Sequence, residues 1–148
     1  MIITFCGHSS FRSTKEYEDE MLSLLENTVG ENFAKLYLGG YGAFDEFAYK
    51  VGKKYQENHP KVKLILIIPY INNRKNDLSC ENQYDEIIYP GLENVPYRFA
   101  IPRRNKWMID QADLVIAYVD HPWGGAYQTY LYAERSKKKI FNLISKSL

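Results

Sequence analysis

Cysteine is scarce: only Cys6 and Cys80 occur among 148 residues. Two are too few for a disulfide framework, so a reduced compartment is expected. Net charge is nearly absent as well. Nineteen basic against eighteen acidic side chains leave +1, which supplies no broad positive field, and neither nucleic acid nor an anionic membrane is expected as a partner. The longest apolar run, "LILIIPYI", is too short to span a bilayer. The chain opens on the strand-like "IITFC" without a basic-then-apolar leader, and a cytoplasmic protein is expected. Internal repeats and low-complexity linkers are missing too. One globular domain over residues 1–148 is expected, long enough to bury roughly 70% of its unfolded surface without staples.

What is present alternates between strand-like and helix-like patterns. "IITFCG" reads as a strand, followed by polar "HSSFRS" and a helix with Tyr17, Met21, Leu24, Leu25 and Thr28 on one face, its start marked by a Ser13/Glu16 capping box. "FAKLYLGG" reads as a second strand, and Phe44, Phe47, Ala48, Val51 and Tyr55 share one face of the helix after it. "VKLILIIPY" is apolar almost throughout, as suits a strand covered on both faces of a parallel sheet. Residues 71–97 are polar and punctuated; a functional or mobile loop is expected there, with at best a short strand at Glu86–Tyr89. Pro102 suits a first helical turn in "PRRNKWMIDQA", and "DLVIAYV", "GGAYQTYLYAERSK" and "KKIFNL" read as strand, helix and strand. This alternation predicts an α/β, Rossmann-like, three-layer doubly wound sheet, mainly parallel, with helices on both faces. Ligands of such sheets bind beyond the strand carboxyl ends, where the strand order reverses.

Three loops at such ends carry unusual residues: "CGHSSF", "GGYGAFDE" and "DHPWGGAYQT". Glycines permit positive φ and close backbone approach, and a helix opening just afterwards aims unpaired N–H groups at an anion. Gly39, Gly40, Gly42, Gly124 and Gly125 stand in that strand-loop-helix context, and they serve equally well as plain turns.

The order of several short motifs resembles the SLOG superfamily, the Rossmann-like nucleotide-binding domains named for the Smf/DprA and LOG proteins. Arg104, Met108, Ala112-Asp113, an apolar strand and Gly124-Gly125 follow one another as in LOG-type phosphoribohydrolases. "ITFCGHSSF" resembles the family's opening strand and loop, and "LGGYGAFDEFA" its "GGxxGAD" segment, with Asp45 in the aspartate position. The resemblance covers nearly the whole chain apart from residues 71–97. It departs from the hydrolases where they carry Gly-Gly-x-Gly-Thr-x-x-Glu: here Tyr127 replaces the third glycine and Leu131 the glutamate. "GGYGAFDE" reproduces that spacing, with Glu46 at its end, but after the second strand. What the resemblance implies is therefore binding of a nucleotide phosphate, and hydrolysis is not carried over.

The expected function is binding or sensing of a nucleotide or nucleotide-derived small molecule. Its expected contacts are Gly7, His8, Ser9, Gly39, Gly40, Tyr41, Gly42, Arg104, Asp120, Trp123, Gly124, Gly125 and Thr129. Phosphate would meet backbone amides and the planar fork of Arg104, and the base would stack on Tyr41, Trp123 or Tyr127. The alternative is a nucleoside or nucleotide N-glycosidase, phosphoribohydrolase- or deoxyribosyltransferase-like, in which Asp45 or Glu46 stabilises an oxocarbenium-like sugar. Both carboxylates also suit a helix amino terminus without any catalysis. No cofactor is expected, and no metal, because Cys6, His8, Cys80 and His121 lack recognised ligand spacing. Thirteen tyrosines and two tryptophans point to core or oligomer contacts, and a homo-oligomer is expected.

Overall fold

The apolar runs form six parallel strands of one sheet. The computed structural model describes residues 1–71 and 83–146. Its elements are β1 (Ile2–Gly7), α1 (Lys15–Val29), β2 (Ala34–Leu38), α2 (Ala43–Gln56), β3 (Val62–Ile67), β4 (Glu86–Ile88), α3 (Ala100–Gln111), β5 (Leu114–Tyr118), α4 (Gly125–Arg135) and β6 (Lys139–Asn142). Short 3-10 turns at Tyr97–Phe99 and Leu143–Lys146 complete the order. Residues 72–82, part of the expected loop and including Cys80, lie outside the described residues. The strand expected at Glu86–Tyr89 forms as the three-residue β4 on the sheet edge.

Strand order is β4-β3-β2-β1-β5-β6, every neighbouring pair parallel. The chain lays strands outward from β1 to β4, then returns to the other side of β1 for β5 and β6. The order therefore reverses between β1 and β5, where Ile3 is paired with Leu114 and Gly7 with Tyr118. That reversal leaves a crevice at the carboxyl ends of these two strands.

Side chains alternate between faces with period two. Ile3, Phe5, Leu36, Leu38, Leu64 and Ile116 pack with Met21, Leu25 and Val29 of α1 and with Phe44, Phe47, Ala48 and Val51 of α2. On the opposite face, Cys6, Val115 and Ala117 meet Ile109 of α3 and Ala133 of α4, while Ile65 and Ile67 meet Met108. This is the three-layer arrangement expected from the alternating elements. Gly7 is fixed by that packing: a Cβ there would lie 2.3 Å from the Phe44 ring, so α2 could not close on β1.

One capping expectation changes. Thr14, rather than Ser13, caps α1 by accepting from Tyr17 N at 3.1 Å. The basic run at Arg135 to Lys139 also serves a neighbouring helix. Lys138 Nζ donates to the carbonyls of Asp110 and Ala112 at 3.1 Å each, satisfying the carboxyl end of α3. Among the described residues no helix is long and apolar enough to cross a membrane.

Candidate functional site

The loop after β1 is held at both ends. His8 N donates to Tyr118 O at 3.1 Å, extending the β1–β5 ladder, and Phe11 N donates back to His8 O at 3.1 Å. The tight return drives Phe11 into the core among the rings of Tyr17, Phe44, Phe47 and Tyr118. Ser9 and Ser10 remain exposed at its outer edge.

Between β2 and α2 the backbone adopts positive φ at Gly40 (75°) and Gly42 (100°). The bend turns Asp45, in the first turn of α2, back onto the loop. Its Oδ1 accepts from Gly39 N at 3.3 Å and its Oδ2 from Gly40 N. Arg104 reaches the same place from α3 and is 4% exposed. Its Nη1 donates to Gly39 O at 3.0 Å and Ile67 O at 2.7 Å, and its Nε to Asn105 Oδ1 at 3.0 Å. The guanidinium thus ties the ends of β2 and β3 together. Its Nε and Nη1 are thereby engaged within the protein.

Burial pushes the Asp45 carboxyl up to about 6, against the amides of Gly40, Gly39 and Tyr41 and the charge of Arg104, which pull it down. A carboxyl raised above its unfolded value stabilises the fold fully below that value, about 4, and loses the contribution as pH rises through about 6. Unfolding free energy measured in urea is therefore expected to fall between about pH 4 and pH 6. The change should be smaller in Asp45→Asn, and an equal slope in both proteins would contradict this assignment.

The loop after β5 is built differently. Gly124 has φ 93°, α4 starts at Gly125, and no side chain caps that start. Space around both positions is open: a methyl group added at either one would meet nothing within 4 Å. Trp123 and Tyr41 stand 64% and 87% exposed. Thr129 Oγ1 donates to Gly125 O at 3.1 Å, inside its own helix.

These loops border one cleft of about 610 Å³ at the strand reversal. Gly7, His8, Ser9, Gly39, Tyr41, Gly42, Asp45, Arg104, Trp123, Gly124, Gly125 and Thr129 all line it. Gly40, Glu46 and Asp120 do not. Gly40 backs onto Leu66. Glu46 faces solvent and pairs with Lys50 at 3.1 Å one helical turn on, which removes it from the cleft chemistry. Tyr127 packs with the Cys6 and Val115 side of the core, so it is unavailable for base stacking there. Burial raises the Cys6 thiol to about 12, and it remains a protonated core group.

Sequence reading did not place Ile101, Asn105 or His121 among the ligand contacts. Ile101, Arg104, Asn105 and Met108 line the cleft from one stretch of α3, a helical spacing that was visible once Arg104 had been singled out. His121 also lines it, its ring stacked on His8 with centroids 3.5 Å apart. Burial holds the His8 imidazole below its ordinary pKa, with His121 acting the same way and Asp120 opposing.

No family model matches the sequence, and no curated protein matches it. Solved structures do. DNA processing protein A (DprA) from Streptococcus pneumoniae superposes with a TM-score of 0.65 at 16% identity, over 95% of this chain and 49% of that one. DprA from Helicobacter pylori gives 0.64 at 17% identity, over 96% and 64%. The protein TM1055 gives 0.60 at 15% identity, over 94% and 71%. The chain spans about half the length of the Streptococcus pneumoniae protein. The Helicobacter pylori protein has a single-stranded DNA binding mode. The expectation that nucleic acid is no partner therefore does not stand, since a protein containing a similar fold binds single-stranded DNA and net charge says nothing about a local field. At these identities the likeness is one of architecture: the chain shares the Rossmann-like α/β fold of these solved structures.

Proposed function

We propose that the cleft binds a nucleotide or nucleotide-derived small molecule, with its phosphate at the amino terminus of α4. One observation carries this reading. Two helices, α2 and α4, open without a side-chain cap at Gly42 and Gly124, and both openings border the same cleft. Each terminus presents about half a positive charge and unpaired N–H groups, which suits an anion. The α4 end is the better seat, because Asp45 already takes the amides of Gly39 and Gly40. Trp123 and Tyr41 offer exposed ring faces for a base.

Binding is favoured over turnover. Both Asp45 oxygens already accept from the loop amides and Glu46 is turned to solvent, which supports binding over catalysis. Incubation at high protein concentration is expected to release no base from nucleoside monophosphates; sustained release lost in Asp45→Asn would establish the N-glycosidase instead.

The binding experiment is calorimetric titration with mono-, di- and cyclic nucleotides, nucleotide sugars and short single-stranded DNA. At least one is expected to bind, with affinity falling by more than about tenfold in Gly125→Val, equivalent to about 1.4 kcal/mol. Stability of that variant should change little, since the position is open. The two sources of the phosphate are separated by which class binds. Equal affinity in wild type and Gly125→Val would reject the α4 seat, and silence across the whole panel would reject the reading.

A further inference from the structure

We infer that His8, Asp120 and His121 form a binding site for a divalent transition-metal ion, with zinc the best fit. The pairing of β1 with β5 brings together residues that are far apart in sequence. His8 Nε2 lies 3.6 Å from Asp120 Oδ1, and His121 Nδ1 lies 2.6 Å from that same oxygen. One ligating atom from each of the three residues falls within 4.8 Å of the others.

A second, independent observation points to a ligand. The His8 side chain is 5% exposed, and its Nε2 is buried with no hydrogen-bond partner among the described residues. A buried imidazole nitrogen left without a partner is destabilising, so the arrangement favours a ligand that satisfies it. The 3.6 Å approach of Asp120 is too long to satisfy it. A metal ion between the two groups would satisfy the nitrogen and the carboxylate together.

Ligand chemistry chooses the ion. Two imidazoles and one carboxylate suit zinc, which in sites of this kind keeps three protein ligands and an open fourth position. Magnesium and calcium demand oxygen shells that this set cannot supply. Since His8 and His121 both line the cleft, the open position would face it.

Binding requires a definable rearrangement. Coordination lies in the plane of an imidazole, so the face-to-face stack of His8 and His121, tilted by 12°, must open. His8 is anchored through its backbone to Tyr118, whereas Asp120 and His121 are 30% and 24% exposed on the loop after β5. The loop residues would move. His121 also rests against the Trp123 ring with centroids 4.2 Å apart, so its movement should alter tryptophan emission.

The site goes beyond nucleotide binding, and its test uses no nucleotide, so either reading can fail alone. The chain has three histidines, which simplifies the accounting. The third, His59, sits elsewhere beside Glu26 and serves as control. Metal-stripped full-length protein is titrated with zinc against a chromophoric chelator while tryptophan fluorescence is recorded. One equivalent is expected to bind with an emission change, and magnesium at the same concentration should produce neither. His121→Ala and Asp120→Ala, both at partly exposed positions that tolerate change, are expected to weaken zinc by at least about tenfold. His59→Ala should retain it. Failure to bind zinc, retention of wild-type affinity in both cluster variants, or loss in His59→Ala would overturn the assignment.

Discussion

Phe11→Ala is expected to lower the unfolding free energy by about 3–5 kcal/mol, the range for removing a buried aromatic ring. Phe11 is 4% exposed although it belongs to a loop. Its ring centroid lies 4.8 to 5.5 Å from those of Phe47, Tyr118, Phe44 and Tyr17. Such edge-on and tilted pairs each add about 0.5–1.5 kcal/mol beyond buried area. The surrounding residues come from β5 and from α1 and α2, so the cavity cannot collapse without moving a helix. A domain of ordinary stability has about 5–15 kcal/mol in all, so this loss approaches the whole in the weaker cases. Urea unfolding followed by circular dichroism should show a lower midpoint at unchanged slope. Phe33→Ala, at a position 71% exposed, should stay within about 0.5 kcal/mol. A loss below about 1 kcal/mol for Phe11→Ala would contradict the packing described.

Arg104→Met is the second large effect, expected at about 2–4 kcal/mol. The substitution keeps length and apolar contact but leaves the Gly39 and Ile67 carbonyls without their donor, and each unsatisfied buried group costs about 1–3 kcal/mol. Arg104→Lys should recover only part, because one ammonium cannot reproduce the planar fork that also reaches Asn105. The variant separates two roles for this residue. Were Arg104 chiefly a phosphate clamp, Arg104→Met would leave the ligand-free protein as stable as wild type and abolish only binding. The carboxyl of Asp45 provides a second readout. Without the neighbouring cation it should rise further above about 6, extending the acid-side decline in stability to higher pH.

Much of the fold was legible because burial imposes a period. Phe44, Phe47, Ala48, Val51 and Tyr55 recur at helical spacing and all five are buried on α2. The run "VKLILI" has no polar face to declare and became β3, with strands on both sides. Phe11 escaped notice for the opposite reason: a lone aromatic in "HSSFRS" has no periodic partner, and only the hydrogen bond from its amide to His8 O turns it inward.

The site was half legible for similar reasons. Glycine spacing after β2 and β5 placed both loops on the cleft, because strand ends in such sheets converge on the order reversal. Which amides stay available depended on something that spacing does not encode. At Gly40 and Gly42 the positive φ bends the loop so that Asp45 meets it, whereas the α4 start carries no capping side chain. The meeting of His8 with His121 depended on strand order, which no local pattern specifies.

The central claim concerns which amides hold an anion, and amide chemical shifts read it residue by residue. In a nitrogen-15 correlation spectrum of the labelled protein titrated with adenosine 5′-monophosphate and, separately, inorganic phosphate, saturable shifts are expected at Gly125 and Ala126. Gly39 and Gly40, already bonded to Asp45, should move far less. Saturable shifts at Gly39 and Gly40 with Gly125 and Ala126 unmoved would contradict the account.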